Sequence, residues 1–588
     1  MSKILKIVLI FIVSQTTFSQ EVEILNQGEK VVNRNGLKSL KLTKEFGSFE
    51  TLERENEIIH KATTILKPDG VYHLSVKIPL QSKNIKAGQP LLISFKAKSI
   101  QASLETNEAK VNWLFRQTES SAPKDVASKS VSLSANWQTY YIPFKAIHSE
   151  NLDKTNFTIQ FGYSPQIFEI KDIELYVYPL SFDYKKLPYT KITYSGMEDN
   201  AEWRKEALKR IEENRKGNFS LFFYKDNQPL QNAQVEIKQI KHNFRFGTAV
   251  STDEILNKDK YFETVKKLFN IVVFENDLKA KKWKNEKNRP ATIQAIDKLN
   301  TNDIKVKGHV LLWPGFQYLP DVYEKNKSNP KRIQQLINEN YKSILTATKG
   351  KIAHWDVLNE AYTNKDIPEI MGSNEVLFDA FKKAKEFDPN AKRYINEYGI
   401  ISGGGINTKK QDWYFNFIKE IDEKTNGAID GLGMQSHIGT DLTPPTKVIE
   451  ILNRFEKLNK EISISEFTID IMDDDELRAK YTRDYMIAAF SNPAVKEFLF
   501  WGFYAPMHPK AALVDENYQL TKMGQAYYDL VFKEWITKSS KTTNELGLVF
   551  DNGFYGTYEF TVKKEGKIYQ GTFEVLPNEK NKLKIDLK

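Results

Sequence analysis

The stretch KIAHWDVLNE, residues 351–360, is apolar along most of its length and ends on an amide and a carboxylate, Asn359 and Glu360. Strands of this kind are typical of parallel β-barrels, in which each strand is buried on both faces and its carboxyl end carries polar groups. The pattern therefore predicts a barrel strand that ends in a functional site.

Seven further runs of similar character lie between Phe244 and Trp535, separated by stretches with helical periodicity. Together the eight runs are FRFGTAV, NIVVFEN, IKVKGHVLLW, KIAHWDVLNE, KRYINEY, IDGLGMQSH, EISISEF and EFLFWGF. Alternation of short apolar runs with helices indicates parallel βα units, and eight of them fit one (β/α)8 TIM barrel over residues 244–535. We expect the residues that end the runs to converge on the C-terminal face of the barrel.

The polar and aromatic residues at these ends are carboxylates, amides, imidazoles, a lysine and indoles. They are Asn276, Lys279, His309, Trp313, Asn359, Glu360, Asn396 to Tyr398, Gln435, His437, Glu466 and Trp501. Two carboxylates at the ends of nonadjacent strands suit glycoside hydrolysis, in which one acid protonates the leaving oxygen and the other attacks or stabilises the anomeric carbon. Indole faces bind the apolar faces of sugars, and amides and lysine bind their hydroxyls.

Four segments flank the predicted barrel, giving a multidomain chain of 588 residues. We predict a signal peptide at residues 1–19, a β-sandwich (jelly roll) at 20–180, a linker helix and β-hairpin at 181–243, and a small β accessory domain at 536–588. The sandwich prediction rests on short alternating strands such as GVYHLSVKIPL and NWQTYYIPF.

The first twenty residues, MSKILKIVLIFIVSQTTFSQ, carry Lys3 and Lys6 before a short apolar run. This run is shorter than the roughly 20 residues that a membrane span needs, so it predicts export by a cleaved signal peptide and no membrane span. Periplasmic, cell-surface and secreted locations all remain open. The chain has no cysteine, so packing without disulfides must hold it together.

The formal net charge of +9 raises the question of nucleic-acid binding. The lysines are spread along the chain rather than clustered, which favours a solvated surface and argues against a nucleic-acid partner. The only glycine cluster, SGGG at residues 402–405, does not follow the pattern of a phosphate-binding loop. We expect neither a cofactor nor a metal site, and the oligomeric state is open.

The predicted barrel resembles glycoside hydrolase family 10, the endo-1,4-β-xylanases. The resemblance rests on HWDVLNE, ISISEF, GHVLLW, MQSH and FENDLK, and on the closing stretch WGFYAPMHPKAALVDENYQLTKMGQAYYDL. It implies that Glu360 is the general acid/base and Glu466 the nucleophile of a retaining mechanism acting on xylan. It further implies sugar-binding or orienting roles for Asn276, Lys279, His309, Trp313, Asn359, Gln435, His437 and Trp501.

Three positions depart from the family pattern. Thr468 stands where an acidic partner of His437 is usual, with Asp470 two residues further on. Pro314 replaces a common histidine, and His508 with Pro509 replaces a second tryptophan. We expect the chemistry to survive these changes, while the preference for substituted chains can differ.

The N-terminal segment resembles, more loosely, the jelly-roll carbohydrate-binding modules of polysaccharide-degrading enzymes. Trp113 and Trp137 could stack on sugar rings there, although aromatic residues in strands are more often core. Two alternatives to a xylanase stay open: an enzyme of the same mechanism acting on a β-glucan or an unusually decorated xylan, and a non-catalytic glycan-binding protein.

Overall fold

The computed structural model describes residues 22–103, 106, 108–117, 124–471 and 474–587, and for residues 124 and 125 only the backbone. The predicted signal peptide therefore lies outside the described residues. The chain divides into two compact units, one of described residues up to Thr193 with Gly439–Leu442, and one of Tyr194–Ile438 with Thr443–Lys588. Within the described ranges, no helix combines the length and apolar character needed to cross a membrane.

The first unit is a β-sandwich, which confirms the predicted N-terminal β-rich region. One antiparallel sheet has seven strands: Glu29–Lys30, Leu42–Lys44, Gly47–Arg54, Glu57–Thr64, Pro90–Ala102, Gln138–Lys145 and Gln166–Val177. The other has four: Ser75–Lys77, Ala109–Gln117, Lys124–Leu133 and Asn156–Gln160. Short pieces complete the unit: strands Asn84–Ile85 and Glu150–Asn151, and helical turns Arg34–Leu37, Val71–His73, Leu152–Lys154 and Tyr184–Lys186.

The two tryptophans proposed as sugar platforms lie in different surroundings. Trp113 is fully buried, with its ring centroid 4.9 Å from that of Phe95 and 5.2 Å from that of Phe157, so it is a core residue. Trp137 is 37% exposed, but the ammonium groups of Lys98 and Lys171 lie 5.0 and 4.9 Å from its ring centroid. Cation–π contacts therefore already occupy this ring.

The predicted TIM barrel is confirmed. Its strands are β1 (Arg245–Val250), β2 (Ile271–Phe274), β3 (Lys305–Leu312), β4 (His354–Asn359), β5 (Lys392–Glu397), β6 (Gly431–Met434), β7 (Glu461–Ile469) and β8 (Val495–Phe500). Consecutive strands pair in parallel, and β8 pairs with β1, which closes the barrel. A short strand, His437–Ile438, pairs with the end of β7.

Helices alternate with these strands because apolar residues recur at helical spacing between them. They are Glu202–Arg215, Thr252–Asn257, Asp259–Leu268, Ala280–Trp283, Arg289–Thr301, Asp321–Lys325, Pro330–Thr348, Asp366–Met371, Glu375–Phe387, Thr408–Lys424, Pro445–Glu456, Asp475–Ser491 and Lys522–Asp529, with short turns Glu286–Asn288, Phe316–Tyr318, Gly403–Gly405, Pro509–Ala511 and Leu530–Glu534. Pro330–Thr348 shows the local causes: Asn329 caps the amide of Arg332, and Pro330 occupies the first turn.

A small β-domain is built from chain segments on both sides of the barrel. One sheet contains Lys216–Lys225, Gln228–Pro229, Leu548–Phe554 and Lys582–Asp586, and the other contains Gln234–His242, Lys538–Thr542, Gly556–Lys564 and Lys567–Val575. The sequence predicts separate segments at 181–243 and 536–588, with a hairpin in the first. In the structure the two long strands of that hairpin lie in different sheets, and only Gln228–Pro229 turns back on its neighbour.

We predict that Phe219 and Phe573, which come from the two ends of this β-domain in sequence, stabilise it jointly. Their ring centroids are 5.5 Å apart and both rings are buried. Each change to alanine should lower the free energy of unfolding by about 3–5 kcal/mol, with the double variant non-additive. Chemical denaturation measures this. As a control, Phe95→Ala in the sandwich core should have an effect on stability that adds to that of Phe219→Ala. If the effects of Phe219→Ala and Phe573→Ala added in the same way, the two residues would not belong to one β-domain core.

Candidate active site

The ten residues predicted as catalytic or sugar-binding lie at or just beyond the carboxyl ends of barrel strands. Asn276 and Lys279 follow β2, and Trp313 follows β3, which contains His309; Asn359 ends β4 and Glu360 follows it; Gln435 and His437 follow β6, Glu466 lies within β7, and Trp501 follows β8. Because the strands are parallel, these ends share one face of the barrel.

Glu360 has a backbone conformation that few side chains adopt. Its φ of 54° is in the left-handed region, which is uncommon for residues other than glycine. Its N–H donates to the carbonyl of Asn396 at 2.9 Å, and its carbonyl accepts from Nδ2 of Asn364 at 3.0 Å. Strained backbone that surrounding hydrogen bonds hold in place is concentrated at functional sites.

A chain of hydrogen bonds links the carboxylates of Glu360 and Glu466. Nε2 of Gln435 donates to Oε1 of Glu360 at 2.9 Å and to Oδ1 of Asn359 at 3.4 Å. Nδ2 of Asn396 donates to the same Oδ1 of Asn359 at 3.0 Å and to Oε1 of Glu466 at 2.7 Å. Two amides and a shared carbonyl oxygen therefore hold the two acids in one connected cluster.

The orientation of Asn396 is determined by its neighbours. Its Oδ1 accepts from the hydroxyl of Ser465 at 2.6 Å, which leaves Nδ2 as the donor to Asn359 and Glu466. Gly433 provides the space, since a Cβ at that position would lie 2.2 Å from the Asn396 oxygen. The acceptor oxygens of Glu466 and Asn359 thus decide which end of the amide faces them, and Ser465 and Gly433 accommodate the other end.

The second oxygen of Glu466 contacts His437. Nε2 of His437 lies 3.1 Å from Oε2 of Glu466, and Nδ1 of the same ring lies 3.0 Å from the hydroxyl of Thr468. Asp470, the nearest acid to the expected position, bonds instead to Nζ of Lys510 at 2.9 Å. Thr468, which departs from the family pattern, therefore contacts the imidazole of His437 itself.

Aromatic rings and basic groups surround the two acids. The rings of Trp313 and Tyr318 stack with centroids 3.5 Å apart, and Nζ of Lys279 lies 5.2 Å from the Trp313 centroid and 3.1 Å from Oδ1 of Asn276. The Trp501 ring lies 5.4 Å from that of His309. Flat apolar faces next to polar donors form the kind of surface that binds sugars.

Three buried polar atoms in this cluster have no hydrogen-bond partner among the described residues. They are Nδ2 of Asn359, Oε1 of Gln435 and Nε1 of Trp313. Buried polar groups are normally satisfied, so each such atom calls for an explanation. Two donors and one acceptor beside a pair of carboxylic acids fit a ligand rich in hydroxyl groups.

His508 lies at the rim, where the sequence departs from the family pattern. Its Nε2 lies 3.0 Å from Oε2 of Glu275, which follows β2, and the imidazole fills the space beside Gly502. The hydrogen bond from His508, with its charge, outweighs burial and lowers the pKa of Glu275 below the usual range. A hydrogen-bonded histidine and glutamate stand here in place of an indole wall.

A buried ion-pair network supports His309 from inside the barrel. Oδ2 of Asp356 lies 2.9 Å from Nδ1 of His309, and its Oδ1 lies 3.0 Å from Nζ of Lys307, which is 3.6 Å from Glu497. Burial disfavours the charged form of each group. The opposite charges outweigh burial, so the pKa of Lys307 is raised and that of Asp356 is lowered.

Sequence reasoning missed several members of this site. Asn396 was noted at a strand end but was given no role, and Ser465, Asp356 and Lys307 were not singled out. Polar residues inside otherwise apolar strands were the available signal, because a buried polar group requires a partner. Which partner each one finds depends on barrel closure and could not be read from the runs.

We predict that Asp356→Asn destabilises the barrel by about 3–5 kcal/mol, because it leaves the buried Lys307 with one carboxylate fewer. The matched control is Asp321→Asn, an exposed position at the start of helix Asp321–Lys325, which should change stability by less than about 0.5 kcal/mol. Urea unfolding followed by tryptophan fluorescence compares the two. Similar small effects for both variants would contradict the proposed support of His309.

Residues 236–529, half of the chain, match the family model described as glycosyl hydrolase family 10. Among curated relatives, the anti-sigma-I factor RsgI6 of Acetivibrio thermocellus is 30% identical over 62% of this chain and 47% of its own length. Endo-1,4-beta-xylanase 1 of Arabidopsis thaliana is 26% identical over 57% of this chain and 35% of its own length. The chain thus spans less than half the length of either relative.

A solved structure, xylanase 10B of Thermotoga petrophila in complex with xylobiose, aligns with 50% of this chain and 95% of its own chain at 27% identity and a TM-score of 0.45. The family assignment comes from the sequence match, whose range contains the barrel strands and both linked acids. The chain belongs to glycosyl hydrolase family 10.

Proposed function

We propose that the protein is an endo-1,4-β-xylanase, which cleaves internal β-1,4-xylosidic bonds of xylan with retention of configuration. The observation that carries this proposal is the hydrogen-bonded chain from Glu360 through Gln435, Asn359 and Asn396 to Glu466. It links the proposed acid and the proposed nucleophile in one cluster, which supports a double displacement. The xylanase names of several relatives agree with this substrate.

In the first half-reaction, Glu360 donates its proton to the glycosidic oxygen as the bond from that oxygen to the anomeric carbon breaks. A carboxylate oxygen of Glu466 forms a bond to the anomeric carbon, and the chain bearing the new hydroxyl departs. In the second half, Glu360 takes a proton from water, whose oxygen attacks the same carbon and releases Glu466. The acid is then reprotonated and the carboxylate regenerated, so the cycle balances without a cofactor.

The surrounding groups position these steps. Asn396 and His437 each contact one oxygen of Glu466, which restricts rotation of the nucleophile. Gln435 contacts Glu360 in the same way. The unpartnered Nδ2 of Asn359 is suited to bind a hydroxyl of the sugar under attack. Trp313, Trp501, His309, Asn276 and Lys279 would bind the sugars on the non-reducing side of the scissile bond.

A β-glucan or an unusually decorated xylan is the second candidate substrate. The observation that favours it is the hydrogen-bonded His508–Glu275 pair at the rim, where a flat indole is usual. Incubation with unsubstituted xylan, decorated xylan and mixed-linkage β-glucan, followed by product identification, distinguishes the candidates. Internal cleavage of xylan supports the proposal, and cleavage of glucan alone overturns the proposed xylan specificity. If no glycan yields new reducing ends, the protein binds glycan without cleaving it.

We predict that Glu360→Gln lowers kcat on xylan by about 10²–10⁴-fold, because the leaving oxygen loses its proton donor. Aryl xylobiosides with an acidic phenol leaving group should lose far less in the first half-reaction, since the phenolate departs without a proton. Glu369→Gln serves as the charge-matched control, because Glu369 is exposed and lies in the helix Asp366–Met371. Equal losses on both substrates would exclude Glu360 as the acid.

We also propose that the protein is exported, and that the N-terminal sandwich binds glycan. A polar row on the outer face of the four-stranded sheet supports glycan binding: Nδ2 of Asn112 donates to Gln160 at 3.0 Å, and the Ser130 hydroxyl lies 3.3 Å from Asn112 and 2.9 Å from the Tyr163 hydroxyl. Cell fractionation tests export. Loss of retention on insoluble xylan in Asn112→Ala would support the sandwich site, and unchanged retention would remove it.

A further inference from the structure

A cavity of about 550 Å³ lies between the base of the barrel and the β-domain, within the second compact unit. Its wall includes Phe246 near the start of β1, and Asn270 and Ile304 immediately before β2 and β3. These are the amino ends of the barrel strands. The cavity is therefore at the opposite end of the barrel from Glu360 and Glu466.

The charged residues that line this cavity are mostly positive. Its lining contains one carboxylate, Asp303, and five lysines: Lys238, Lys241, Lys266, Lys267 and Lys538. Lys241 pairs with Asp303, and Lys266 pairs with Glu263 at 3.1 Å. No ion pair involves the other three lysines among the described residues. The residues that line the cavity therefore carry a net positive charge.

Two of these lysines directly face each other. Lys238 and Lys538 are register partners on adjacent antiparallel strands of the β-domain. On its other neighbouring strand, the register partner of Lys238 is Glu559, so Lys238 lies between an ammonium group and a carboxylate. Like charges directly opposite one another on a sheet are destabilising, which applies here to the Lys538 side. Nearby, burial and then the charges of Arg245 and Lys241 lower the pKa of Lys305, which is consistent with a positive potential in this region.

The cavity also has an apolar side. Tyr528, Phe532 and Ile536 line it, and the rings of Tyr528 and Phe532 stack with centroids 5.0 Å apart. A volume of this size is within the usual range of small-molecule sites, which is about 300–1,000 Å³. Apolar rings beside several cations suit a ligand that has both a flat apolar face and a negative charge.

We propose that this cavity binds a small organic carboxylate with a flat apolar face. The carboxylate would lie between Lys238 and Lys538, while the ring face would contact Phe532. A uronic acid sugar and an aromatic acid share this chemistry. Binding here is independent of the proposed hydrolysis, because the site shares no residue with the acid pair.

The test is isothermal titration of the full chain with D-glucuronate, benzoate, D-xylose and inorganic phosphate. We expect at least one of the two carboxylates, D-glucuronate or benzoate, to bind, and xylose to bind at least tenfold more weakly. The carboxylate that binds more tightly shows whether the natural ligand is a uronic acid sugar or an aromatic acid. Binding of phosphate as tight as that of both acids would overturn the proposal, since a mere cationic patch would behave so. Failure of both acids to bind would overturn it as well.

The triple variant Lys238→Ala, Lys267→Ala and Lys538→Ala should weaken the preferred acid by at least tenfold. Its matched control replaces three exposed lysines elsewhere on this unit, Lys331, Lys419 and Lys457, with alanine and changes the net charge equally. Equal weakening in the two triple variants would overturn the proposal. Phe532→Ala should weaken the preferred acid without changing weak phosphate binding. Because binding is measured, these results stand whether or not the chain cleaves xylan.

Discussion

The orientation of one amide, that of Asn396, connects the two acids on which the proposed chemistry rests. Its nitrogen donates to Asn359 and Glu466, while Ser465 donates to its oxygen and Gly433 leaves space for it. Reversing this amide would place an oxygen against the Glu466 carboxylate and break the link to Glu360. Barrel closure makes the arrangement possible, because it brings β4, β5, β6 and β7 side by side, although the helices between them separate these strands in the chain.

Beneath this polar layer, the barrel interior is charged rather than purely apolar. Arg245 and Lys307 both contact Glu497, and Lys307 and His309 both contact Asp356. Burying so many charges is costly and stabilises little by itself. Its effect is positional: the network holds His309 beside Trp501, where a sugar would bind. Stability and site geometry are therefore coupled through the same side chains.

Much of the barrel could be predicted from sequence, because each strand is a continuous apolar run bounded by polar residues. The acid pair followed from strand ends and from resemblance to a family. The β-domain combines strands from both of the predicted flanking segments, because Lys216–Lys225 pairs with strands beyond Trp535, and such pairing leaves no local pattern. Likewise, the contact of Thr468 with His437 depends on the pairing of His437–Ile438 with β7, which no single run reveals.

The most direct test of the central claim is the configuration of the first product of xylan-oligosaccharide cleavage, followed by proton NMR. If Glu466 is the nucleophile of a double displacement, the new reducing end is formed as the β-anomer, with the α-anomer growing later by mutarotation. Initial release of the α-anomer would mean that water attacks directly. In that case Glu466 would not be the nucleophile, and the account of the linked acid pair would be contradicted.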